Sequence, residues 1–306
     1  MRYLLIDPAR RWLLSIGLCL TVLVGGSANA AEGERLQIGI TLHPYFSYVT
    51  NVVGDLADVI PLIESGFNPH SYSLSPTDIA RLQAMDVLVV NGIGHDEYAI
   101  EAVERLDLDG LSLLYANADV PLLGPSTNAN PHTFVSVDAA VRQVYSIAKG
   151  LGTLDPSNAV AYRKNAFRYA KRLRKLKLPL QQTLIEQDLS SVRIASTHNA
   201  YGYLLQEFGL TVSAVVEPAH GVEPSASQLQ QTIDTIRTLD VDVLFTELNM
   251  ENGYVDTIER ETGIRIFHFS HMTHGEYRKA LVEDEMSHNL GKLQDALRYA
   301  VSRGQQ

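Results

Sequence analysis

Histidine is the residue type whose placement in this sequence points to chemistry. Ten histidines are spread along the chain, and three of them stand where the backbone is restricted or where a strand is predicted to end. His70 and His132 each complete an Asn-Pro-His triplet, in which the fixed φ of proline lowers the entropy cost of holding the imidazole. His198 follows a short apolar run and begins a predicted helix. One such histidine alone is more often a capping or packing residue, but the repeated triplet favours a metal site.

A further donor can come from the histidine-containing segment near the C-terminus. If residues 264–269 form a strand, His268 lies on one of its faces and His271 lies at its exit. Zn²⁺ favours four-coordinate sites that contain neutral imidazoles and carboxylates. Three loop histidines and one more donor from this segment would complete such a site.

Residues 1–31 are predicted to be a secretory signal peptide. Arg2, Arg10 and Arg11 precede a low-charge, apolar stretch at 12–24, which is followed by small residues up to Ala30. This stretch is shorter than the roughly 20 apolar residues of a permanent membrane span, so an uncleaved anchor is the weaker alternative. We therefore expect export to the periplasm, with cleavage near residue 30 or 31. The only cysteine lies in this segment, so a metal site in the exported protein must use histidine and carboxylate ligands.

Composition excludes several other classes of protein. The 306 residues are 45% hydrophobic and 20% charged, as expected for a soluble globular protein with room for two cores. The formal net charge is −10, and it becomes −12 when residues 1–31, which contain three Arg and one Asp, are removed. Nucleic acids are bound mainly by Lys and Arg, so we expect no nucleic-acid partner.

Short apolar strands alternate with amphipathic helices, which predicts an α/β fold with mainly parallel sheets. The pattern occurs twice and predicts an N-terminal α/β lobe at 32–154 and a C-terminal α/β lobe at 190–306. Predicted strands are 36–42, 58–63, 86–91, 192–196, 211–216, 241–246 and 264–269. His198 would then lie at the carboxyl edge of a sheet, where open α/β folds bind ligands.

Residues 155–189 are predicted to form one long rigid helix that joins the lobes. Asp155 and Pro156 fit an N-cap and a first-turn proline, and a bend is expected at Pro179. Apolar residues repeat at helical spacing, at Val160, Phe167, Leu173, Leu176, Leu180 and Leu184. Eight Lys and Arg lie between residues 163 and 177. We interpret them as a solvated face, with an anionic lipid or partner surface as the alternative.

Several motifs occur in an order that resembles a known family. They are Leu42-His43-Pro44, Asn68-Pro69-His70-Ser71-Tyr72, Asp86-Val87-Leu88-Val89-Val90-Asn91-Gly92, Asn130-Pro131-His132, His198-Asn199-Ala200-Tyr201-Gly202-Tyr203, Glu223-Pro224-Ser225 and Phe245-Thr246-Glu247. In this order they resemble the cluster A-I metal-binding solute-binding proteins of zinc and manganese ABC transporters, over essentially the whole exported chain. The resemblance implies a carrier without turnover, with His70 and His132 as ligands from the first lobe and His198 as a ligand from the second. Its partner would be the membrane permease of an ABC importer, and we expect the carrier to be a monomer.

The sequence departs from the family at the fourth ligand. The family usually places an Asp after the last strand, but no Asp lies between Asp256 and Asp284. His271 best matches that position, with His268 and Glu247 as alternatives. A histidine in place of the Asp favours Zn²⁺ as cargo over Mn²⁺, because manganese prefers more oxygen ligands. Imidazole-rich sites also suit Cu²⁺, Ni²⁺ and Fe²⁺, and Mn²⁺ or Fe²⁺ is the alternative cargo.

The competing function is a secreted zinc hydrolase with Glu247 as general base. The sequence has no His-Glu-x-x-His motif, and the candidate ligands are dispersed along the chain, which suits a clamp between lobes. A carrier of a small organic solute would need more aromatic and Arg residues near these histidines. His95, Asp96 and Glu97 could form a second metal site, but we expect a solvated helix N-terminus there. Tyr72, Tyr201 and Tyr203 are expected either to orient imidazoles or to pack in the core.

Overall fold

Two sheets of four parallel strands each form the framework of the computed structural model, which describes residues 35–67, 72–125, 128–185, 187–217, 222–248 and 253–304. The first sheet has the order β2-β1-β3-β4, and the second has the order β6-β5-β7-β8. The strands are β1 Leu36–Ile40, β2 Ala57–Pro61, β3 Val87–Val90, β4 Ser112–Tyr115, β5 Ile194–Ser196, β6 Val212–Val215, β7 Val243–Glu247 and β8 Arg265–Phe269. The predicted α/β class with two parallel sheets is confirmed.

Helices connect these strands. They are α1 His43–Val53, α2 Pro76–Gln83, α3 Glu97–Arg105, α4 Val137–Leu154, α5 Ala159–Leu176, α6 Leu178–Leu184, α7 Gly202–Gln206, α8 Ala226–Thr238, α9 Gly253–Thr262 and α10 Leu281–Gly304. Ser75 and Ser225 begin α2 and α8 with capping boxes, which satisfy backbone amides at the first turn. Strand β3 is buried along its whole length, as expected when helices cover both faces of a parallel sheet. Within the described residues, none of the helices combines the length and the apolar character needed to cross a bilayer.

The segment between the two sheets is two consecutive helices rather than one. Helix α5 ends at Leu176 and α6 begins at Leu178, so the break falls at Lys177. Pro179 lies in the first turn of α6, where its missing N–H has no helical acceptor to lose. The predicted N-cap at Asp155 is also displaced, because Asp155 ends α4 and Asn158 precedes α5. The Asp155 carboxylate instead accepts a hydrogen bond from the Tyr162 hydroxyl at 2.6 Å.

The outward face of α5 differs from the apolar stripe that the sequence suggests. Val160 and Phe167 are 69% and 61% exposed, although Leu173 and Leu180 are buried as their spacing predicts. The face of α5 that packs inward is formed by Tyr162, Ala166, Tyr169, Ala170 and Leu173. This inward face contains two tyrosines and two alanines. A prediction from hydrophobicity alone therefore assigns the wrong face of α5 to the core.

One hydrophobic core extends through both halves of the molecule. It includes Tyr48 of α1 and Tyr169 of α5, whose rings are 6.3 Å apart, together with Phe245 of β7 and Leu293 of α10. Helix α10 follows the second sheet in sequence but contacts α1, α5 and α6. Burial of this continuous apolar surface holds the two sheets together.

Residues 273–279, here called the crossing segment, bond to the first half of the chain. The backbone oxygen of Thr273 accepts a hydrogen bond from the Gly66 amide at 3.1 Å, and that of Gly275 accepts one from the His43 ring at 3.0 Å. The Tyr277 hydroxyl donates to the Ile63 carbonyl at 2.8 Å. This segment begins shortly after His271, so the chain crosses to the first half directly beyond that histidine.

Candidate metal centre

Three of the four predicted ligands meet in the structure. His132, His198 and His271 each offer a ring nitrogen, and these atoms all lie within 4.8 Å of one another. The three residues are 3%, 6% and 3% exposed. His198 follows β5 and His271 follows β8, whereas His132 lies in the first half of the chain, just before α4. The cluster therefore joins the two halves at the carboxyl edge of the second sheet.

Hydrogen bonds fix which nitrogen of two rings faces the cluster. Nδ1 of His132 donates to the side-chain oxygen of Asn130 at 2.8 Å, and the same oxygen accepts from the His132 amide at 3.0 Å. Nδ1 of His198 donates to Oε1 of Glu247 at 3.0 Å. The Nε2 atoms of His132 and His198 face each other at 2.9 Å.

This geometry suits a shared cation. When both Nδ1 atoms carry the protons that they donate, the two neutral rings direct Nε2 lone pairs at each other. Such lone pairs repel unless a proton or a metal ion lies between them. A divalent transition metal is the natural partner of two neutral imidazoles, and the ring nitrogens of His271 lie close enough to contribute a third.

Glu247 supports the site from behind His198. It ends β7, the strand beside β5, and is 4% exposed. Its carboxylate bonds the His198 nitrogen on the far side of the ring from His132. A carboxylate in this position orients a ligating imidazole and increases its basicity.

The tyrosines act on the backbone around the cluster. Tyr203 donates to the backbone oxygen of Asn130 at 2.8 Å and accepts from the amide of Leu123 at 2.9 Å, so it holds the loop before His132. Tyr201 is fully buried and donates to the backbone oxygen of Phe269 at 3.3 Å. Burial, followed by the charge of Glu247, raises the pKa of Tyr201 well above its usual value. Tyr72 differs from these two, because its hydroxyl donates to the side-chain carboxylate of Asp78 on α2, at 2.7 Å.

His95 belongs to the surroundings of the site, which contradicts the predicted solvated helix N-terminus. It is 4% exposed, and its ring lies edge-on to that of His132, with centroids 4.6 Å apart. The only local signal in the sequence was Gly92 and Gly94; in the structure both of them and His95 have positive φ. These left-handed residues lie in the turn between β3 and α3, and φ > 0 in a non-glycine residue is uncommon.

Asp96 is buried for the same reason. It accepts hydrogen bonds from Oγ1 of Thr41 at 2.9 Å and from the amide of Gly92 at 3.1 Å. Burial raises its pKa to about 6, although these hydrogen bonds act in the opposite direction. The carboxylate thereby fixes the turn that carries His95.

The remaining candidates lie elsewhere or outside the described residues. His268 is exposed on β8, and its backbone oxygen accepts a hydrogen bond from His288 at 3.1 Å. The structure therefore does not bring His268 to the cluster. His70 lies outside the described residues, as does His220. On either side of His70, the rings of Phe67 and Tyr72 are in contact, with centroids 5.0 Å apart.

Comparison with known proteins identifies the family. The family described as zinc-uptake complex component A, periplasmic, matches residues 38–296. The chain belongs to this family. Among solved structures, FpvC of Pseudomonas aeruginosa in complex with Ni²⁺ is 49% identical in sequence to this chain. The match covers 87% of this chain and 97% of the FpvC chain, with a TM-score of 0.82.

Curated relatives of this chain have lower sequence identity to it. The high-affinity zinc uptake system protein ZnuA of Bacillus subtilis is 27% identical over 304 residues, which cover 93% of this chain and 94% of that protein. The zinc-binding lipoprotein AdcA of Streptococcus pneumoniae is 25% identical over 268 residues, which cover 83% of this chain. The matched region spans only 53% of AdcA, about half of its length.

Family membership confirms the resemblance drawn from the sequence motifs. The family is one of periplasmic zinc-uptake components, and the FpvC structure is that of a solute-binding protein with a bound metal ion, as the motifs predicted for the family. The hydrolase alternative, with Glu247 as general base, finds no support.

Proposed function

We propose that this protein captures a divalent transition metal, zinc in preference to manganese or iron, in the periplasm and delivers it to the membrane permease of an ABC importer. The observation that carries the proposal is the 2.9 Å approach of the Nε2 atoms of His132 and His198, whose Nδ1 atoms are both engaged as donors. His271 supplies the third imidazole, and His70 is the fourth ligand by its Asn-Pro-His motif.

The chemistry of the donors supports zinc as cargo. Imidazole nitrogen is a borderline donor that suits zinc, whereas manganese prefers carboxylate and other oxygen ligands. Neutral imidazoles do not compensate the charge of a divalent ion, so Glu247 provides a nearby negative charge through His198. Affinity for such a site follows the order Ni²⁺ < Cu²⁺ > Zn²⁺, so metal supply in the cell also determines which ion is carried.

Some relatives are named for metals other than zinc, so the test must compare the affinity for zinc with the affinities for those metals. They include the manganese-binding lipoprotein MntA of Halalkalibacterium halodurans, the iron-binding protein YfeA of Yersinia pestis, and FpvC in complexes with Ni²⁺ and Mn²⁺. These names make manganese or iron the second candidate cargo of the same site.

The carrier role fits the construction of the site. With His70 as the fourth ligand, donors from both halves of the chain would complete a four-coordinate shell and leave no position for an activated water, so the bound ion would be held rather than used in a reaction. A core that continues between the two sheets suits a small opening movement. Export is supported by the charge and apolar pattern of residues 1–31, and the intact mass of periplasmic material tests the cleavage.

Metal titration tests the proposal. The protein is stripped with a chelator, and Zn²⁺, Mn²⁺, Fe²⁺ and Ni²⁺ are titrated in competition with a chromogenic chelator. We expect one zinc ion per chain, bound at least about tenfold more tightly than manganese. Tighter binding of manganese than of zinc would make manganese the cargo. Absence of binding by every metal would refute the carrier role.

A further inference from the structure

We propose that the outward face of α5 binds the surface of an anionic phospholipid bilayer. The protein is acidic as a whole, with a formal charge of −10, yet residues 156–185 contain no Asp or Glu. Eight Lys and Arg lie within this stretch, between residues 163 and 177. Positive charge is therefore concentrated on one element of an otherwise negative molecule.

The helix arranges this charge around exposed apolar side chains. Val160, Lys164, Phe167 and Lys171 follow the spacing i, i+4, i+7 and i+11, so they form one stripe along α5. All four are exposed. Exposed basic residues flank the stripe on both sides; they are Arg163, Arg168, Arg174 and Lys175. An apolar row bordered by Lys and Arg is typical of helices that lie in a membrane interface.

Most of these basic side chains are available to an external partner. Arg172 pairs with Glu283 at 2.8 Å, and Lys177 pairs with Glu207 at 2.9 Å. The other six form no ion pair with any residue that the structure describes. They are Arg163, Lys164, Arg168, Lys171, Arg174 and Lys175.

The adjacent helix extends the same surface. The guanidinium of Arg174 lies over the ring of Tyr145 on α4, 5.8 Å from its centroid. Arg142 and Lys149 of α4 are exposed and lie on the same helical face as Tyr145, at spacings of i−3 and i+4. The basic surface is therefore two helices wide and carries an aromatic ring at the seam.

These features fit a bilayer better than a folded acidic partner. Exposed Lys and Arg residues lie on both sides of the exposed Phe167 along α5, and a lipid surface can meet such flexible side chains without a matching shape. Basic residues near an anionic leaflet gain electrostatic attraction, while an aromatic side chain settles at the headgroup level. The acidic remainder of the protein would be repelled, so attachment occurs through this face.

A single tryptophan makes the contact measurable. The only Trp of the sequence, Trp12, lies within residues 1–31. A Phe167→Trp variant of the chain without residues 1–31 therefore reports on this position alone. We expect a blue shift and a rise in its emission with vesicles of phosphatidylcholine plus phosphatidylglycerol, and no change with phosphatidylcholine alone. High salt should reverse the shift, because it screens the charges.

Charge-reversal pairs locate the contact. In the Phe167→Trp background, Lys164→Glu with Lys171→Glu should weaken vesicle binding at least about tenfold. The matched control, Arg105→Glu with Arg298→Glu, makes the same change in net charge at exposed positions on α3 and α10 and should have less than about twofold effect. Zinc affinity should be unchanged in both pairs, which separates this surface from the metal site.

Three outcomes would overturn the lipid proposal. The first is an emission spectrum that does not respond to anionic vesicles, and the second is an equal loss of binding in the two charge-reversal pairs. The third concerns metal delivery to the permease in vesicles of neutral lipid. If the Lys164→Glu, Lys171→Glu protein no longer delivers metal there, the face binds a protein partner instead.

Discussion

Glu247 accepts a hydrogen bond at 3.0 Å from the nitrogen of His198 that points away from His132. Both residues lie at strand ends, on neighbouring strands of the second sheet. The bond selects the tautomer of His198 in which Nε2 presents a lone pair to the cluster. It places a negative charge one ring away from the proposed metal position, where the charge can stabilise the ion without occupying a coordination position.

Removing this charge should weaken metal binding without removing a ligand. For Glu247→Gln we expect zinc affinity to fall about 10- to 100-fold, as is typical for partners of ligating histidines. His198→Ala should cost more, because it removes a donor. Competitive titration measures both. Glu217→Gln is the matched control, since Glu217 is also buried and its carboxylate accepts a hydrogen bond from the Tyr254 hydroxyl. Equal losses in the two Gln variants would show that buried charge in general, and not the contact with His198, sets the affinity.

The identity of the ligand that follows the last strand, β8, can be decided by comparing two histidines. His271→Ala should lower zinc affinity as strongly as His198→Ala, whereas His268→Ala should be mild, because His268 is exposed on β8. His271→Asp should keep zinc binding and raise the relative affinity for manganese, since a hard oxygen replaces a borderline nitrogen. Mild effects of both Ala variants, with a severe effect of Glu247→Ala, would instead make the Glu247 carboxylate the ligand in place of His271.

The buried Asp96 should give the metal-free protein an unusual response to acid. Its pKa is raised from 3.8 to about 6 in the folded state, so the folded protein binds a proton more readily than the unfolded chain between about pH 4 and 6. This group alone therefore makes stability rise as the pH falls through 6 and level off below about 4. The difference is on the order of 3 kcal/mol at most.

Urea unfolding of the wild type and of Asp96→Asn at pH 4.5 and pH 7 measures this contribution, with roughly two-thirds of the full effect expected at the lower pH. The stability of the wild type relative to the variant should be higher at the lower pH. A difference that is the same at both pH values would show that Asp96 titrates normally.

Lys177 lies at the break between α5 and α6 and forms ion pairs with residues from both halves of the chain. Its ammonium group lies 2.6 Å from Oδ1 of Asp138 and 2.9 Å from Oε2 of Glu207, and burial raises the pKa of the Glu207 carboxyl despite this partner. Lys177→Met would leave Glu207 buried without its cation and should destabilise the protein by about 3 kcal/mol. Adding Glu207→Gln should recover part of that loss. Urea unfolding of the single and double variants tests the coupling, and purely additive losses would show that the two groups act independently.

Local physical patterns in the sequence predicted the architecture and the positions of His198 and His271 at the edge of the second sheet. Strands buried on both faces are continuous apolar runs, and a histidine at the end of such a run must lie at the sheet edge. His132 could be placed with them only through the family resemblance, because nothing local relates its loop to the second sheet.

Other features depend on contacts that a local pattern does not contain. The burial of His95 follows from left-handed backbone at Gly92, Gly94 and His95 itself, and the two glycines were the only hint of it. The inward face of α5 is formed by Tyr162 and Tyr169, whose hydroxyls find partners inside the fold. Phe167 was predicted to belong to the apolar stripe and is exposed instead, because the helix is oriented by those tyrosines.

The crossing segment has a consequence for how the chain can be divided. His271 belongs by sequence to the second half, yet the residues that follow it are bonded to the first half, through Ile63 and Gly66 beyond β2 and His43 at the start of α1. A cut between the two sheets would leave each fragment with exposed donors and acceptors that only the other can satisfy. The two lobes are therefore separate in chain order but not as folding units, and neither is expected to be recovered in native form when expressed without its companion.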